Sequence, residues 1–536
     1  MKPGLGRVLA QGILMGWLAA LVSGCATLRQ DLPPPVPSHA LAPDPSSPLG
    51  RLAAGHLAQG GGPSAFRLLE SGQAALLARM ALIERSRHSL DLQYYIFRAD
   101  LSGKLIMEAL IRAAERGVRV RLLLDDMYSP ENEAVIIGLD AHPRIQVRVF
   151  NPFHVRGNAP LGRAAEFLAG DGRVNRRMHN KLFLADNHFG ITGGRNIGDE
   201  YFQANGQLAF RDLDVMAVGP VVTQLSQAFD QYWNAPQSIT VRAIPMGRAR
   251  SQLRDELRQE VAALRQDLAP EADEFKSLDA LGSAPGPGWG PWTGGDAEVL
   301  VDHPDKTLPT SSGPSAAVET LPYNQLLRHG LEVRKELLIV SPYFVPGAKG
   351  VARLEAIRAQ GDVRIRVLTN SLAATDVTVV HAGYARYRKP LLEAGVELFE
   401  LKPVKESSAW GRRLVQGSSR ASLHGKAVVF DRKVAYVGSM NLDPRSVSLN
   451  TESGLILHGE ALAGQVAAFI EEAMQPSLSY RLALEAGPGT EAADTRLVWY
   501  DQKKNHTEVH EVDPRSNPVL RMYIRLLSLL PIEESL

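Results

Sequence analysis

The sequence predicts an α/β chain of two homologous lobes. Three observations predict it: a strand–helix–strand pattern that occurs twice, a histidine–lysine motif at matching places in both copies, and a length of 536 residues that suits two domains.

The repeat comes first. Ser89 to Phe97 reads as a strand, Lys104 to Arg116 as a helix and Val118 to Leu124 as a buried strand. Glu336 to Phe344, Arg353 to Gln360 and Val363 to Leu368 repeat that order. Strand, helix, strand at this spacing is a parallel crossover unit, so each half forms an α/β layer structure. Upstream, Phe66, Leu68, Leu69, Ala74, Leu76, Leu77, Met80 and Ile83 suggest an amphipathic helix from about Ser64. The Pro-, Ser-, Gly- and Ala-rich stretch before it, with Pro33-Pro34-Pro35, reads as a linker. A second irregular stretch, 268–315, is the candidate connection between lobes, with a short strand at Glu298 to Val301. The expected division is 1–24 signal peptide, 25–63 flexible linker, 64–240 first lobe, 241–315 interlobe connection, 316–480 second lobe and 481–536 C-terminal extension.

The chemistry sits in the duplicated motif. His179-Asn180-Lys181 leads to Asp186 and then to Gly193-Gly194-Arg195-Asn196; His424-Gly425-Lys426 leads to Asp431 and then to Gly438-Ser439-Met440-Asn441. In both copies lysine follows histidine by two positions, aspartate by seven and asparagine by seventeen. Phe97 precedes His179 by 82 positions and Phe344 precedes His424 by 80. On a strand, residues two apart project to one face, so each His and Lys point together. Asp186-Asn187 and Asp431-Arg432 are turn chemistry that returns the chain as a second strand, and these aspartates read as turn-stabilising residues. Gly193 and Gly438 permit close backbone approach where that strand ends.

These motifs resemble those of the phospholipase D superfamily from about Ser64 to the end of the chain. The resemblance implies two phospholipase D-like lobes, each a mixed β-sheet flanked by helices, packed about a pseudo-twofold axis with both histidines at one phosphate. It implies a covalent phosphohistidine, with His179 as nucleophile and His424 as acid. Lys181, Lys426, Asn196 and Asn441 then clamp the non-bridging oxygens and stand in for a cation, so that no metal and no cofactor is expected. A histidine that presents one nitrogen needs the other held by an acceptor. Glu452 matches the orienting carboxylate, and its repeat partner is Asp212, with Asp214 as competitor. The serine usual after the glycine is Gly194 in the first copy and is kept as Ser439 in the second; the lost hydroxyl implies one missing oxygen contact. Ser341-Pro342-Tyr343-Phe344-Val345-Pro346, Leu368 to Asp376, His381-Ala382-Gly383-Tyr384 and the tail Leu529 to Glu533 are similar to the bacterial cardiolipin synthase group. The expected reaction is phosphatidyl transfer between phospholipids. Hydrolysis with water as acceptor, a nuclease and an inactive lipid-binding lipoprotein are the alternatives.

Composition narrows the partners. With 45% hydrophobic and 22% charged residues the chain is neither disordered nor a membrane bundle, and a net charge of +1 argues against a dedicated nucleic-acid binder. Local basic residues Arg176, Arg177, Arg412 and Arg413 remain as candidate phosphate contacts. The single cysteine, Cys25, rules out an intrachain disulfide framework. Lys2 and Arg7, the apolar run Ile13 to Leu21, and Val22-Ser23-Gly24-Cys25 are similar to a bacterial lipoprotein signal ending in a lipidated Cys25. A permanent anchor is the alternative, but the apolar run is short for spanning. The expected partners are therefore phospholipid substrates and a membrane surface, met in the cell envelope on the periplasmic side of the outer membrane; one chain suffices for one site. His88, His142, His188, His381 and His458 stand singly and define no metal-ligand spacing.

Overall fold

The computed structural model describes residues 28–29, 31–127, 130–155, 166, 172–204, 208–245, 250–267, 290–308, 322–403, 405–407, 418–486, 495–503 and 506–529. The signal 1–24, Cys25, Arg412, Arg413 and the tail beyond Leu529 lie outside these residues, as do 268–289 and 309–315 of the expected connection.

The first lobe runs α1 (Pro48–Gly60), β1 (Ser64–Leu69), α2 (Gly72–Arg85), β2 (Ser89–Tyr94), α3 (Leu101–Glu115), β3 (Arg119–Asp125), α4 (Pro130–Asp140) and β4 (Ile145–Phe150). It continues through β5 (Leu182–Ala185), β6 (Phe189–Gly193), β7 (Leu208–Arg211), β8 (Asp214–Val218), α5 (Pro220–Trp233), β9 (Ser238–Thr240) and α6 (Arg250–Asp267). The second lobe comprises β10 (Thr293–Val301), α7 (Pro322–Glu332), β11 (Glu336–Val340), α8 (Gly347–Ala359), β12 (Arg364–Asn370), α9 (Thr378–Ala385), α10 (Arg388–Glu393), β13 (Glu397–Leu401), β14 (Lys405–Ser407) and β15 (Ser418–Leu423). After these come β16 (Ala427–Phe430), β17 (Val434–Gly438), α11 (Pro444–Ser448), β18 (Ser453–His458), α12 (Glu460–Ala473), β19 (Ser479–Ala486), β20 (Thr495–Gln502), β21 (Thr507–His510) and α13 (Pro518–Leu527).

Pairing makes the duplication explicit. In the first lobe β2, β3 and β4 are parallel, and β5, β6, β8 and β1 extend the sheet antiparallel from β2. In the second, β11, β12 and β13 are parallel, and β16, β17, β18 and β10 extend it in the same way from β11. The two first strands then pair with each other, Ser64 opposite Gly295 and Phe66 opposite Thr293, so the two sheets become one. An apolar core runs across this join, with Phe66, Val215 and Leu225 from one lobe in the same cluster as Val340, Leu455 and Val466 from the other. Burying each such side chain stabilises by roughly 1.5–3 kcal/mol, so separating the lobes is costly.

Four expectations need correction. The supposed flexible linker contains α1, whose N-cap Ser47 accepts from Gly50 and whose Leu49 and Ala53 are buried. His56, one turn on, stacks on Trp292 at 4.3 Å. Ahead of it, Val36 and Ser38 carbonyls accept from Arg148 and Arg121, which straps the proline-rich segment to the lobe. Proline and glycine content hid the apolar residues of α1, Leu49 and Ala53 in the core with Leu52 and Leu57 packed against it. The helix expected from Ser64 is instead strand β1 followed by α2, because Phe66, Leu68 and Leu69 lie in a fully buried strand whose continuous apolar run imitates a helix face. The interlobe connection holds β10, nine residues long, which is the first strand of the second lobe's sheet rather than a tether. The C-terminal extension is no appendage either: β19 pairs with β13, just as β9 pairs with β4.

Candidate active site

Two hairpins, β5–β6 and β16–β17, set the frame. Their turns place Asp186 and Asn187 at φ 49° and 54°, and Asp431 and Arg432 at 50° and 56°, the left-handed pair that a tight hairpin requires. The Asp186 carboxylate accepts from the backbone N–H groups of Arg87, His88 and Ser89 at 2.9, 2.8 and 2.9 Å. Asp431 does the same with Arg334, Lys335 and Glu336 at 2.9, 2.7 and 2.9 Å. The motif aspartates thus pin the start of β2 and β11 and stand at the far end of their hairpins from the histidines. An added Cβ at Gly193 would lie 2.5 Å from the Leu213 carbonyl, and one at Gly438 would lie 2.4 Å from the Ser453 carbonyl, so only glycine lets β6 and β17 pass there.

His179 and Lys181 do not sit within β5, nor His424 and Lys426 within β16; both pairs occupy the extended segment just before the strand. The cause is a bond to the other lobe. Met178 forms a parallel bridge with Thr451, and His179 N donates to the Thr451 carbonyl at 2.9 Å. Leu423, at the end of β15, pairs in parallel with Arg211 of β7, and His424 N donates to the Arg211 carbonyl at 2.9 Å. In each case the residue before the histidine pairs with the residue before a carboxylate.

That register brings the imidazoles to carboxylates across the lobes. His179 Nδ1 lies 2.9 and 3.1 Å from the Glu452 carboxylate oxygens, and His424 Nδ1 lies 2.6 Å from Asp212 Oδ2. Asp214 is occupied elsewhere, accepting from Arg79 at 2.9 Å and from Arg195 N at 3.2 Å. With each Nδ1 held, Nε2 is the nitrogen each ring can present. All four groups are buried. Lys181 Nζ donates to the His179 carbonyl at 2.6 Å, whereas Lys426 Nζ sits against the His424 ring, 2.8 Å from Nδ1 and 3.0 Å from Nε2, so the Nε2 of His424 faces this lysine.

Burial shapes the charges. It lowers His179 well below the usual imidazole range, with Lys181 and Lys426 adding to the effect, and lowers His424 to about 4, with Lys426 adding. Lys426 falls to about 8 and Lys181 well below its ordinary value, again through burial. The two carboxylates diverge. Burial raises Glu452 to about 7, whereas the opposing charges of His424 and Lys426 more than offset burial at Asp212 and hold it below the usual carboxylate range. Asp212 is the firmly ionised partner.

Their supports differ as well. Ser439 Oγ donates to Glu452 Oε2, and Ser446 Oγ donates to Glu452 Oε1 at 2.8 Å. The motif serine thus holds the carboxylate, a contact that the first copy, with Gly194, lacks. At Gly194 there is no space for that serine, because an added Cβ would lie 2.0 Å from Asp212 Oδ1. Gly194→Ala is accordingly expected to displace Asp212 from His424 and lower kcat by about 10²-fold or more. Gly464→Ala, where an added Cβ meets nothing within 4 Å, is the control; equal steady-state kcat in the two variants would contradict the packing argument.

The asparagines also part company. Asn196 accepts from Ile96 N at 3.1 Å and donates to Tyr201 Oη at 2.9 Å, which fixes its amide and leaves one N–H to donate. Asn441 is buried with its Oδ1 unpartnered among the described residues. Arg177, expected as a phosphate contact, is buried and bound to Asp125 at 2.8 Å, and Arg176 donates to the Lys306 carbonyl. Sequence reasoning missed the ring walls: Tyr95 meets His179 edge-on at 5.0 Å, and Tyr201 and Phe210 flank His424 at 5.1 and 4.9 Å. Tyr95 lies one residue beyond β2, inside the Ser89 to Phe97 stretch read as a strand, and nothing in that stretch singles it out from Tyr94.

The family described as "Cardiolipin synthase, PLD-like domain" matches residues 80–233 and 328–474, one stretch in each lobe. Cardiolipin synthase C of Escherichia coli (strain K12) is 40% identical over 473 residues, covering 87% of this chain and 94% of that protein. Cardiolipin synthase A of Pseudomonas aeruginosa (strain LESB58) is 28% identical over 424 residues, covering 77% and 68%. Phosphatidylserine synthase of Haemophilus influenzae Rd KW20, a solved structure, superposes with a TM-score of 0.55 at 14% identity, over 91% of this chain and 99% of that one; the two share a fold.

Proposed function

The chain belongs to the cardiolipin synthase, PLD-like family and is an enzyme of the phospholipase D type, and from that premise we propose that it transfers a phosphatidyl group from one phospholipid to a hydroxyl of another through a phosphohistidine. The observation that supports this most is the pair of cross-lobe histidine–carboxylate contacts, which gives one buried site two imidazoles each held at Nδ1.

In this reading the negative diester and the ionised Asp212 together offset the burial that holds His424 at about 4, so that His424 carries a proton in the substrate complex; His179 Nε2 attacks phosphorus while the bond to the departing alcohol oxygen breaks, and His424 gives that oxygen its proton. The acceptor lipid's hydroxyl then loses its proton to the now neutral His424. Its oxygen attacks phosphorus and the P–N bond to His179 breaks. Glu452 keeps the His179 Nδ1 proton in place, and Asp212, ionised, favours the imidazolium at His424. Lys181, Lys426 and Asn441 hold the non-bridging oxygens; the negative diester beside the lysines favours their ammonium forms and makes the site electropositive without a metal. The aromatic walls and burial limit water, which favours an alcohol acceptor over hydrolysis.

The test is a product assay with defined phospholipid donor and acceptor, read by mass spectrometry with and without excess EDTA. Transfer product is expected to dominate over phosphatidic acid and to survive chelation. Phosphatidic acid as sole product would assign hydrolysis, and loss of turnover restored by zinc, calcium or magnesium would overturn the lysine clamp.

We further propose that Cys25 carries lipid and holds the enzyme on the periplasmic face of the outer membrane. No helix among the described residues is long and apolar enough to cross a membrane. The mature protein is expected to fractionate with membranes and begin at a lipid-modified Cys25. Recovery of unmodified Cys25 with residues 1–24 attached would end that proposal.

A further inference from the structure

Helix α13 is apolar on two faces. Its inner face, Leu520, Ile524 and Leu527, packs on Leu372, Ala382 and Ala385, which joins it to α9. Its outer face leaves Val519, Met522 and Leu526 at 70, 60 and 58% exposure with Tyr523 half exposed beside them, and Leu529, two residues past the helix end, is 76% exposed. Positions 519, 522, 523 and 526 follow the i, i+3, i+4, i+7 spacing of one helix face, so these are a continuous stripe and not scattered residues. Large single-face exposure of this kind marks a surface that meets another phase or molecule.

Charge says which. The helix contains no acidic residue, and Arg521 and Arg525 occupy the sector between its two apolar faces, with Arg515 three residues before the helix. The nearest upstream carboxylate, Asp513, is already paired with Arg388 at 2.7 Å. An apolar stripe bordered by arginines, with a tyrosine in it, fits the boundary between acyl chains and anionic headgroups. Position agrees. Helix α9, on which α13 rests, begins two residues after Asp376, whose carboxylate accepts from Tyr343 Oη at 2.8 Å and whose charge acts on His424 and Lys426.

We propose that α13 docks on the surface of an anionic phospholipid bilayer, burying Val519, Met522, Leu526 and Leu529 among the acyl chains so that lipid enters the site from the membrane plane. The inference rests on the reading that the substrates are phospholipids. It is independent of Cys25: a lipid tether fixes the chain near the membrane, whereas α13 orients it.

Because a tether would keep even a non-docking protein on vesicles, depth and turnover are the informative readouts. Full-length Leu526→Trp, on vesicles of phosphatidylglycerol and phosphatidylethanolamine carrying brominated acyl chains, is expected to show more quenching than the parent protein. Val519→Ser/Met522→Ser/Leu526→Ser is expected to lose about tenfold or more of its turnover on those vesicles and to keep turnover of a short-chain, monomeric phospholipid within about twofold. No excess quenching overturns the docking, as does equal vesicle turnover of the triple variant and parent. A parent dimer that the triple variant converts to monomer assigns the stripe to a second copy instead. Cross-linking of position 526 to the tail 530–536 assigns it to the chain's own end. If the parent turns over neither substrate, the proposed transfer reaction fails, while the quenching still decides the docking.

Discussion

Alanine at His179 is expected to remove turnover of phospholipid and of an activated nitrophenyl phosphodiester alike, whereas alanine at His424 retains slow turnover of the activated ester alone. On phospholipid both lesions should cost about 10³-fold or more, because groups that act as one unit are not additive. The difference arises at the leaving group. An alkoxide needs a proton to depart, but a nitrophenolate leaves without one, so loss of the acid is partly bypassed while loss of the nucleophile is not. The carboxylates favour this order of roles: the ionised Asp212 raises His424 against the burial that holds it at about 4, whereas His179 is backed by Glu452, whose carboxyl burial raises to about 7. Rescue of His179→Ala by the activated ester would reverse the roles. Undiminished activity in both variants would refute a shared site.

Glu452→Gln is expected to lower kcat by about 10²- to 10⁴-fold, the range seen when the carboxylate orienting a catalytic histidine becomes an amide, and yet to gain stability relative to the parent as pH rises. The sign follows from linkage. Glu452 titrates near 4.5 when unfolded and about 7 when folded, so its contribution is fully present below pH 4.5 and is lost as pH rises through 7. Glutamine does not titrate. The parent's Tm should therefore fall relative to the variant's between about pH 4.5 and 8, by an amount equivalent to a few kcal/mol for a group this buried. Differential scanning calorimetry at intervals across that window measures it. A constant Tm difference would show that burial does not raise this carboxyl.

What could be read from the chain depended on how local the cause was. The hairpins and the motif spacing are set by residues within twenty positions of each other, and Asp186 and Asp431 adopt the left-handed turn conformation that turn chemistry implies; that their carboxylates also hold backbone N–H groups 98 and 96 positions away was not legible. Asp212 was separable from Asp214 only by its place in the repeat, and the bond to His424, 212 residues away, agrees with that choice. The crossing of carboxylates between lobes was not legible, because it depends on the parallel register of β7 with β15 and of Met178 with Thr451, and no local pattern encodes a pairing over such separations. Of strand β10 only Glu298 to Val301 was legible as a strand, and its first half and its pairing with β1 were not. Gly294 and Gly295 read as loop, but they are glycines because an added Cβ at Gly294 would lie against the Gly60 carbonyl where the two lobes' first strands meet. The bond from Asn196 to Tyr201 was not legible either, since its twin Asn441 has the same place in the motif.

One measurement bears most directly on a single site built from two lobes. The enzyme is quenched in acid-free denaturant during turnover of headgroup-labelled and acyl-labelled phospholipid, digested, and its phosphorylated peptides are mapped by mass spectrometry. The expected result is the acyl label, without the headgroup label, on the peptide bearing His179, in the parent and at higher occupancy in His424→Ala, where the second step is slowed. Label on the His424 peptide with none on His179, or transfer product accumulating with no labelled peptide at all, would contradict the account.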